Sequence, residues 1–395
     1  MALDNELNGA YMLDTNQPAT RLATRLAFLV AGFGLACWAP LVPIVKQQLN
    51  LDEALLGLLL LCLGVGAISA MLFTGILSAR YGSKPIIIAG GFGLTFILPL
   101  LVIVTSPLAL GVALFGFGAS LGAIDVAMNI HAVDVERAAD RPLMSGFHAL
   151  FSVGGFIGAG ATTFLLSLNI TPLLSCLVCA ALMLIVMLIT WPKLLPDSGK
   201  TAINSTDKTP LIVIPKGAVL LLSLLAAIMF LIEGAILDWG ALLITGMEQV
   251  EKAQGGLGYM LFAIAMTFGR FRGDAISARL GDKALIFWGG LMTFAGFIVL
   301  LCIPVPFIAL SGFFLIGLGA SNIVPVFFRR AGSQTSMPPA LAVAAIGTFG
   351  YAGILVGPAI IGFVADIFSL PISFWMLAAL VCLVSLSANK VTHLD

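Results

Sequence analysis

Charge is what this sequence has least of. Only 10% of its 395 residues are Asp, Glu, Lys or Arg, against about a quarter in soluble domains, and so little charge excludes an ordinary water-facing surface. The three histidines, His131, His148 and His393, are scattered, and no H-E-x-x-H occurs, which excludes the helical zinc site of the metalloproteases. No G-x-x-x-x-G-K-S/T loop is present to cradle nucleotide phosphates, so an ion gradient rather than ATP is the expected driving force. The N-terminal "MALDNELNGAYMLDTNQPAT" lacks the basic-then-apolar order of a cleavable export signal, and the first apolar span is expected to remain as an anchor. All six cysteines, Cys37, Cys62, Cys176, Cys179, Cys302 and Cys382, fall inside apolar runs, where a thiol behaves as a small hydrophobe. "CLVC" at 176–179 has no second pair and no nearby His, and reads as packing. A formal net charge of zero gives no reason to expect nucleic acid; no metal and no cofactor is expected.

What the chain has is hydrocarbon: 60% of its residues are hydrophobic. Crossing a bilayer core of about 30 Å takes about 20 apolar residues in a helix. Twelve predominantly apolar runs fit, at 22–45, 54–79, 86–105, 107–132, 143–168, 171–190, 217–246, 255–279, 284–303, 306–328, 339–365 and 369–388. They are continuous rather than alternating, which points to helices and away from a barrel, and a helix satisfies its own backbone in lipid. The expected fold class is therefore an all-α membrane protein. With both termini on one side, that side collects seventeen of the nineteen Lys and Arg, and only Lys46 and Lys252 face the other way. This predicts cytoplasmic termini and an inner-membrane location.

A short motif divides the chain. "LSARYGSK" at 77–84 returns as "ISARLGDK" at 276–283, 199 residues on, and "GFGAS" at 116–120 returns as "GLGAS" at 317–321. Gly154 and Gly158 match Gly353 and Gly357, again at 199. Three echoes in the same order predict a parallel duplication. Its parts are a cytoplasmic tail (1–21), a six-helix bundle (22–192), a Pro, Ser and Thr-rich linker (193–216), a second six-helix bundle (217–388) and a tail (389–395). Two such bundles place a substrate site near the bilayer midplane.

On these residues the chain resembles the major facilitator superfamily. The family loop G-x-x-x-D-R/K-x-G-x-R/K is matched by Gly75, Arg80, Gly82 and Lys84, with Ala79 where the family has Asp; Arg279, Gly281 and Lys283 belong to the second copy. "LGAIDVAMN" (121–129), "EGAILDWGALL" and "GYAGILVGPAIIGFVAD" resemble the fucose-permease-like branch. The resemblance implies two pseudo-symmetric six-helix bundles and alternating access. It also implies a single working chain, with a small-molecule substrate, protons and the lipid bilayer as partners.

Ionisable residues inside spans cost at least ~2.5–3.5 kcal/mol on insertion scales and are functional candidates by default. Asp125 leads them, sharing a face with Gly118, Gly122 and Asn129 at 100° per residue. It can carry a proton and Asn129 can bond a hydroxyl; the alternative is a structural hydrogen bond, with the glycines serving close packing. Glu233 is a second candidate proton carrier. Asp238 and Trp239, nearer the outer surface, are read as an outer gate. Trp38 can stack on a sugar ring or belong to an interfacial aromatic belt. Arg270 and Asp274 are spaced i,i+4, which reads as a salt-bridged inner helix end, with anion binding as the alternative. Asn322 precedes Pro325, whose ring is expected to kink the helix and free carbonyls. His148 and Tyr351 occupy matching spans as further substrate-facing candidates, though a lone His in a span is commonly a packing residue. "HAVDVERAADR" (131–141) reads as a cytoplasmic loop, with His131 and Asp134 solvated.

The expected function is a secondary carrier moving a small polar solute, a sugar or sugar derivative first, by proton symport. Rival readings are a proton-driven exporter of amphipathic compounds, an intramembrane enzyme and a non-transporting receptor. No nucleophile–base or metal cluster supports the enzyme.

Overall fold

A computed structural model describes residues 17–51, 53–200, 215–247 and 256–392. The N-terminal tail to residue 16, residues 201–214 of the expected linker with Lys208, Lys252, and His393 in the C-terminal tail lie outside the described residues.

Every regular element among the described residues is a helix: α1 (Pro18–Trp38), α2 (Val42–Gln48), α3 (Glu53–Tyr81), α4 (Ser83–Ile103), α5 (Pro107–Ala139), α6 (Met144–Ser167), α7 (Pro172–Thr190), α8 (Gly217–Gly246), α9 (Leu257–Cys302), α10 (Pro306–Ala320), α11 (Ile323–Ser333), α12 (Pro339–Ile367) and α13 (Leu370–Thr392). Pro40 and Pro43 divide the first span into α1, a 3-10 turn and α2. Helix starts follow from composition. Pro107 and Pro172 stand at the first helical position, where a missing N–H costs nothing, and the preceding Ser106 and Thr171 accept from the amides of Ala109 (3.2 Å) and Leu174 (3.4 Å).

Eleven helices among the described residues are long and apolar enough to cross a membrane. One of them, α9, has 46 residues, about 69 Å at 1.5 Å each, more than twice a bilayer core. Gly281, at φ 78° and ψ 163°, interrupts its helical backbone, so α9 is two spans joined by a one-residue break. Twelve spans result.

The described residues of Met1–Leu143, Phe147–Ile214 and Pro338–Ala344 form one compact unit, and those of Met144–Gly146, Pro215–Met337 and Ala345–Asp395 form another. The duplication is written into close helix crossings within each. A Cβ on Gly118 would overlap the Leu63 carbonyl, and one on Gly317 would overlap the Phe262 carbonyl. A Cβ on Gly90 would come to 2.8 Å from the Ser120 carbonyl, and one on Gly289 to 2.7 Å from that of Gly319. Both positions of each contact recur 199 residues on, Leu63 as Phe262 and Ser120 as Gly319. The register in the fourth and tenth spans is thus 199 like the rest, and Gly118, not Gly116, is the counterpart of Gly317. The offset of 201 read from "GFGAS" and "GLGAS" is an accident of a small alphabet.

The segment "HAVDVERAADR", expected to be a solvated loop, is helical through Ala139. The helix stops at Asp140, which adopts the left-handed conformation at φ 48°. His131 is fully buried. Its Nδ1 lies 3.1 Å from Thr24 Oγ1 and its Nε2 accepts the Leu195 amide at 3.0 Å. Asp134 Oδ2 accepts from Ser198 Oγ and from the Gly199 amide, both at 2.8 Å. His131 is buried and Asp134 half-buried because the chain just after α7 supplies their partners. Leu194, Leu195 and Ser198 are buried with them, so the first residues of the expected linker pack as a strap on the first unit.

Candidate functional site

In the first unit the polar residues gather where α5 meets α6. Gly122, like Gly118, lets α5 touch α3 at backbone distance, against the Ala67 carbonyl. One turn on, Asp125 is buried at 9% exposure, and no described side chain or amide bonds its carboxylate. Asn129 is completely buried; its Nδ2 donates to the Asp125 carbonyl at 2.9 Å and its Oδ1 lies 3.2 Å from His148 Nε2. The His148 ring stands edge-on to Phe28 at 5.1 Å. The face expected from the sequence therefore holds Asp125, Asn129 and also His148, brought in from the next helix. Trp38 is buried at 5% exposure with its indole N–H unbonded, which removes it from an exposed interfacial belt.

In the second unit the polar centre lies on α8, α9 and the α10–α11 break. Pro325 has no N–H for the carbonyl four residues back, that of Ser321, and its ring crowds it. The helix accordingly ends at Ala320 and restarts at Ile323. The Ser321 carbonyl accepts from Arg270 Nε at 3.4 Å, and Asn322 Nδ2 donates to the Gly269 carbonyl at 2.9 Å. Arg270 is buried and its Nη2 lies 3.9 Å from Glu233 Oε2. Asp274, expected to serve as the helix-end partner of Arg270, spends its oxygens on the amides of Ser145 (2.9 Å) and Gly146 (2.8 Å), at the start of α6. Tyr351 packs its ring 6.2 Å from Phe230. Asp238 is exposed, while Trp239 is half-buried and touches Gly362.

The two motif turns carry their own polar contacts. In the first copy Gly82 is buried at φ 86°, and both the amide (2.7 Å) and hydroxyl (3.2 Å) of Ser83 donate to the Ser198 carbonyl of the strap. Arg80 lies over the Tyr81 ring at 5.2 Å, and Lys84 is half-buried. Gly75 packs on Ala344, within the first unit. In the second copy Asp282 accepts from Arg329 Nη2 (2.6 Å) and Ser277 Oγ (2.8 Å) through one oxygen and from Arg330 Nε (2.8 Å) through the other. Arg279, Gly281 and Lys283 are exposed beside it. The Asp282 cluster and the His131–Asp134 strap were missed from sequence. Their one legible signal was an imidazole at the very end of an apolar run and an acid just past one.

Comparison with known proteins agrees with this architecture. The Major Facilitator Superfamily pattern matches residues 25–337. An uncharacterised transporter of this type from Yersinia pestis is 47% identical over 373 residues, covering 94% of this chain and 96% of its own. The membrane protein MosC of Rhizobium meliloti is 31% identical over 369 residues, covering 91% and 86%. Among solved structures, the human organic anion transporter MFSD10 superposes with a TM-score of 0.77 at 16% identity, covering 94% of this chain and all of that one. FucP in its outward conformation gives 0.74 at 16% identity, covering 96% and 99%. The proton:xylose symporter XylE gives 0.75 at 14%, covering 97% and 96%. With a family match over most of its length and a relative of nearly half-identical sequence, this chain belongs to the major facilitator superfamily of membrane transporters.

Proposed function

We propose that this transporter is a secondary carrier for a small polar organic solute, a sugar or sugar derivative, working by proton-coupled symport and alternating access in the inner membrane. The observation that carries the reading is Asp125. A carboxyl buried in a membrane helix without a bonding partner is costly to keep, and its use is to bind and release a proton as its surroundings change. Asn129 and His148, already bonded to each other, offer donors and acceptors for solute hydroxyls one turn away. Trp38, Asn322 and Tyr351 are further candidates for solute contact, and Glu233 for a second proton. Asp238 and Trp239 serve as outer gate, and the motif residues Gly75, Arg80, Gly82, Lys84, Arg270, Asp274, Arg279, Gly281 and Lys283 as inner gate. The seventeen-to-two distribution of basic residues supports cytoplasmic termini. FucP and XylE are described as proton symporters of sugars, which supports the same chemistry on this fold.

The test is uptake into proteoliposomes under an imposed inward proton gradient, screened across sugars, sugar acids and nucleosides. The reading expects gradient-driven accumulation of a member of that panel, lost in Asp125→Asn while counterflow persists. Full accumulation in both Asp125→Asn and Glu233→Gln overturns the coupling assignment, and efflux in place of accumulation favours an exporter.

A further inference from the structure

Two acid–arginine contacts in the second unit differ in kind. At the inner end, Asp282 holds Arg329 and Arg330 at 2.6 and 2.8 Å, the distances of charge-assisted hydrogen bonds. Within the spans, Glu233 and Arg270 stand 3.9 Å apart, attracted but not hydrogen-bonded. The Arg270 side chain is 10% exposed and that of Glu233 is 36% exposed, so the acid is on the open side of the pair. The guanidinium is oriented from behind by the Ser321 carbonyl, which Pro325 has released from its helix. A cation held at the back and loosely covered by a part-exposed acid is built to exchange one carboxylate for another.

We infer that Arg270 is the binding site for a carboxylate on the transported solute, and that Glu233 leaves Arg270 and takes up one proton from water when that carboxylate arrives. This rests on the carrier reading above and narrows its solute to a sugar acid or similar hydroxylated organic acid. Electroneutrality of the site drives the coupling. Glu233 already balances charge on Arg270, and a second carboxylate arriving without a proton would add an uncompensated negative charge in low dielectric. The glutamate carboxylate gains a proton, the solute carboxylate takes its place on the guanidinium, and the site stays neutral.

Other ionisable groups around Glu233 do not substitute for it. Tyr259 on α9 is within electrostatic reach of both Glu233 and Arg270, but as a phenol it carries no charge at neutral pH. Asp274 is engaged by the Ser145 and Gly146 amides. On α11, Arg329 and Arg330 are held by Asp282. On α12, which packs on α8 where Gly353 meets Ala227, the acid is Asp366, more than three turns beyond that contact. On α13 the charge is Lys390, in its last turn. Asp238 lies on α8 itself, five residues on and exposed.

The test is calorimetric titration of the purified full chain with D-glucuronate, D-galacturonate, D-gluconate and, as the uncharged comparison, D-glucose. Two buffers of different ionisation enthalpy count the protons. At least one acid is expected to bind more tightly than glucose, with about one proton taken up per anion. Arg270→Gln is expected to weaken that binding about 10-fold to 100-fold, the range for loss of a hydrogen-bonded charge partner. Glu233→Gln is expected to retain binding and take up no proton. The double variant, electrically balanced again, guards against misfolding and is expected to melt like the wild type, bind the acids as weakly as Arg270→Gln and take up no proton. The inference is overturned if none of the acids binds, if a well-folded Arg270 variant binds them as the wild type does, or if Glu233→Gln still takes up the proton. Neutral-sugar accumulation that depends on Asp125, with no acid bound, would sink this inference alone and leave the carrier reading standing.

Discussion

The two copies of the motif turn have the same backbone and opposite fastenings. Gly82 (φ 86°, ψ 161°) and Gly281 (φ 78°, ψ 163°) turn the chain alike, 199 residues apart. The next residue decides what holds each turn. Ser83 donates twice to the Ser198 carbonyl, so the first turn is tied to a strap by neutral bonds. Asp282, its counterpart, binds two arginines. Seven residues before each glycine the contrast repeats: Gly75 lies flat on Ala344, and Asp274 receives two helix-start amides. Duplication fixed the backbone, while the polar chemistry diverged. The first copy leans on the strap, and the second carries its own charges.

The largest expected effect breaks the shared feature. Gly82→Ala forces a side chain into a backbone region that essentially only glycine adopts, at about 1–3 kcal/mol. It also brings a Cβ to 2.7 Å from the Pro196 carbonyl. We expect a loss of about 3 kcal/mol, against about 2 kcal/mol for Gly281→Ala, which meets nothing within 4 Å. Thermal unfolding in detergent reads the difference, and equal losses would mean that the strap does not press on the first turn.

Next, Asp282→Ala strands two part-buried arginines. Breaking a buried pair costs 3–5 kcal/mol, and exposure of 16% and 29% on the arginine side chains reduces that to about 2 kcal/mol. Asp134→Asn weakens the acceptor for Ser198 and Gly199. It should cost about 1–2 kcal/mol and speed tryptic cleavage after Lys193, with no change at the second turn. Smallest is Ser83→Ala. It keeps the amide bond and loses the 3.2 Å hydroxyl bond, for less than about 1 kcal/mol. If Ser83→Ala cost as much as Asp282→Ala, the two fastenings would be equivalent and the comparison would fail.

The spans, the duplication and the shared turn were legible because lipid imposes long apolar runs and because the turn glycines are costly to replace. Asp125, Asn129 and His148 were legible as isolated polar residues in apolar helices, though the contact of His148 with Asn129 depends on how α5 and α6 pack. The strap was not. "PDSGK" has the composition of a solvated linker, and its partners His131 and Asp134 lie 64 or 65 residues away, so neither half of the contact announces the other. Nor was the contact of Arg270 with Glu233. Asp274, at four residues, was the local choice, whereas Glu233 comes from a different helix.

The central claim is that the buried carboxyl of Asp125 carries the coupled proton, and proton movement tests it more directly than uptake. In lightly buffered proteoliposomes with no imposed gradient, adding the transported solute outside should raise the external pH as protons enter with it. Asp125→Asn should abolish that signal while still exchanging labelled solute. A solute-triggered proton signal of wild-type size in Asp125→Asn would contradict the account.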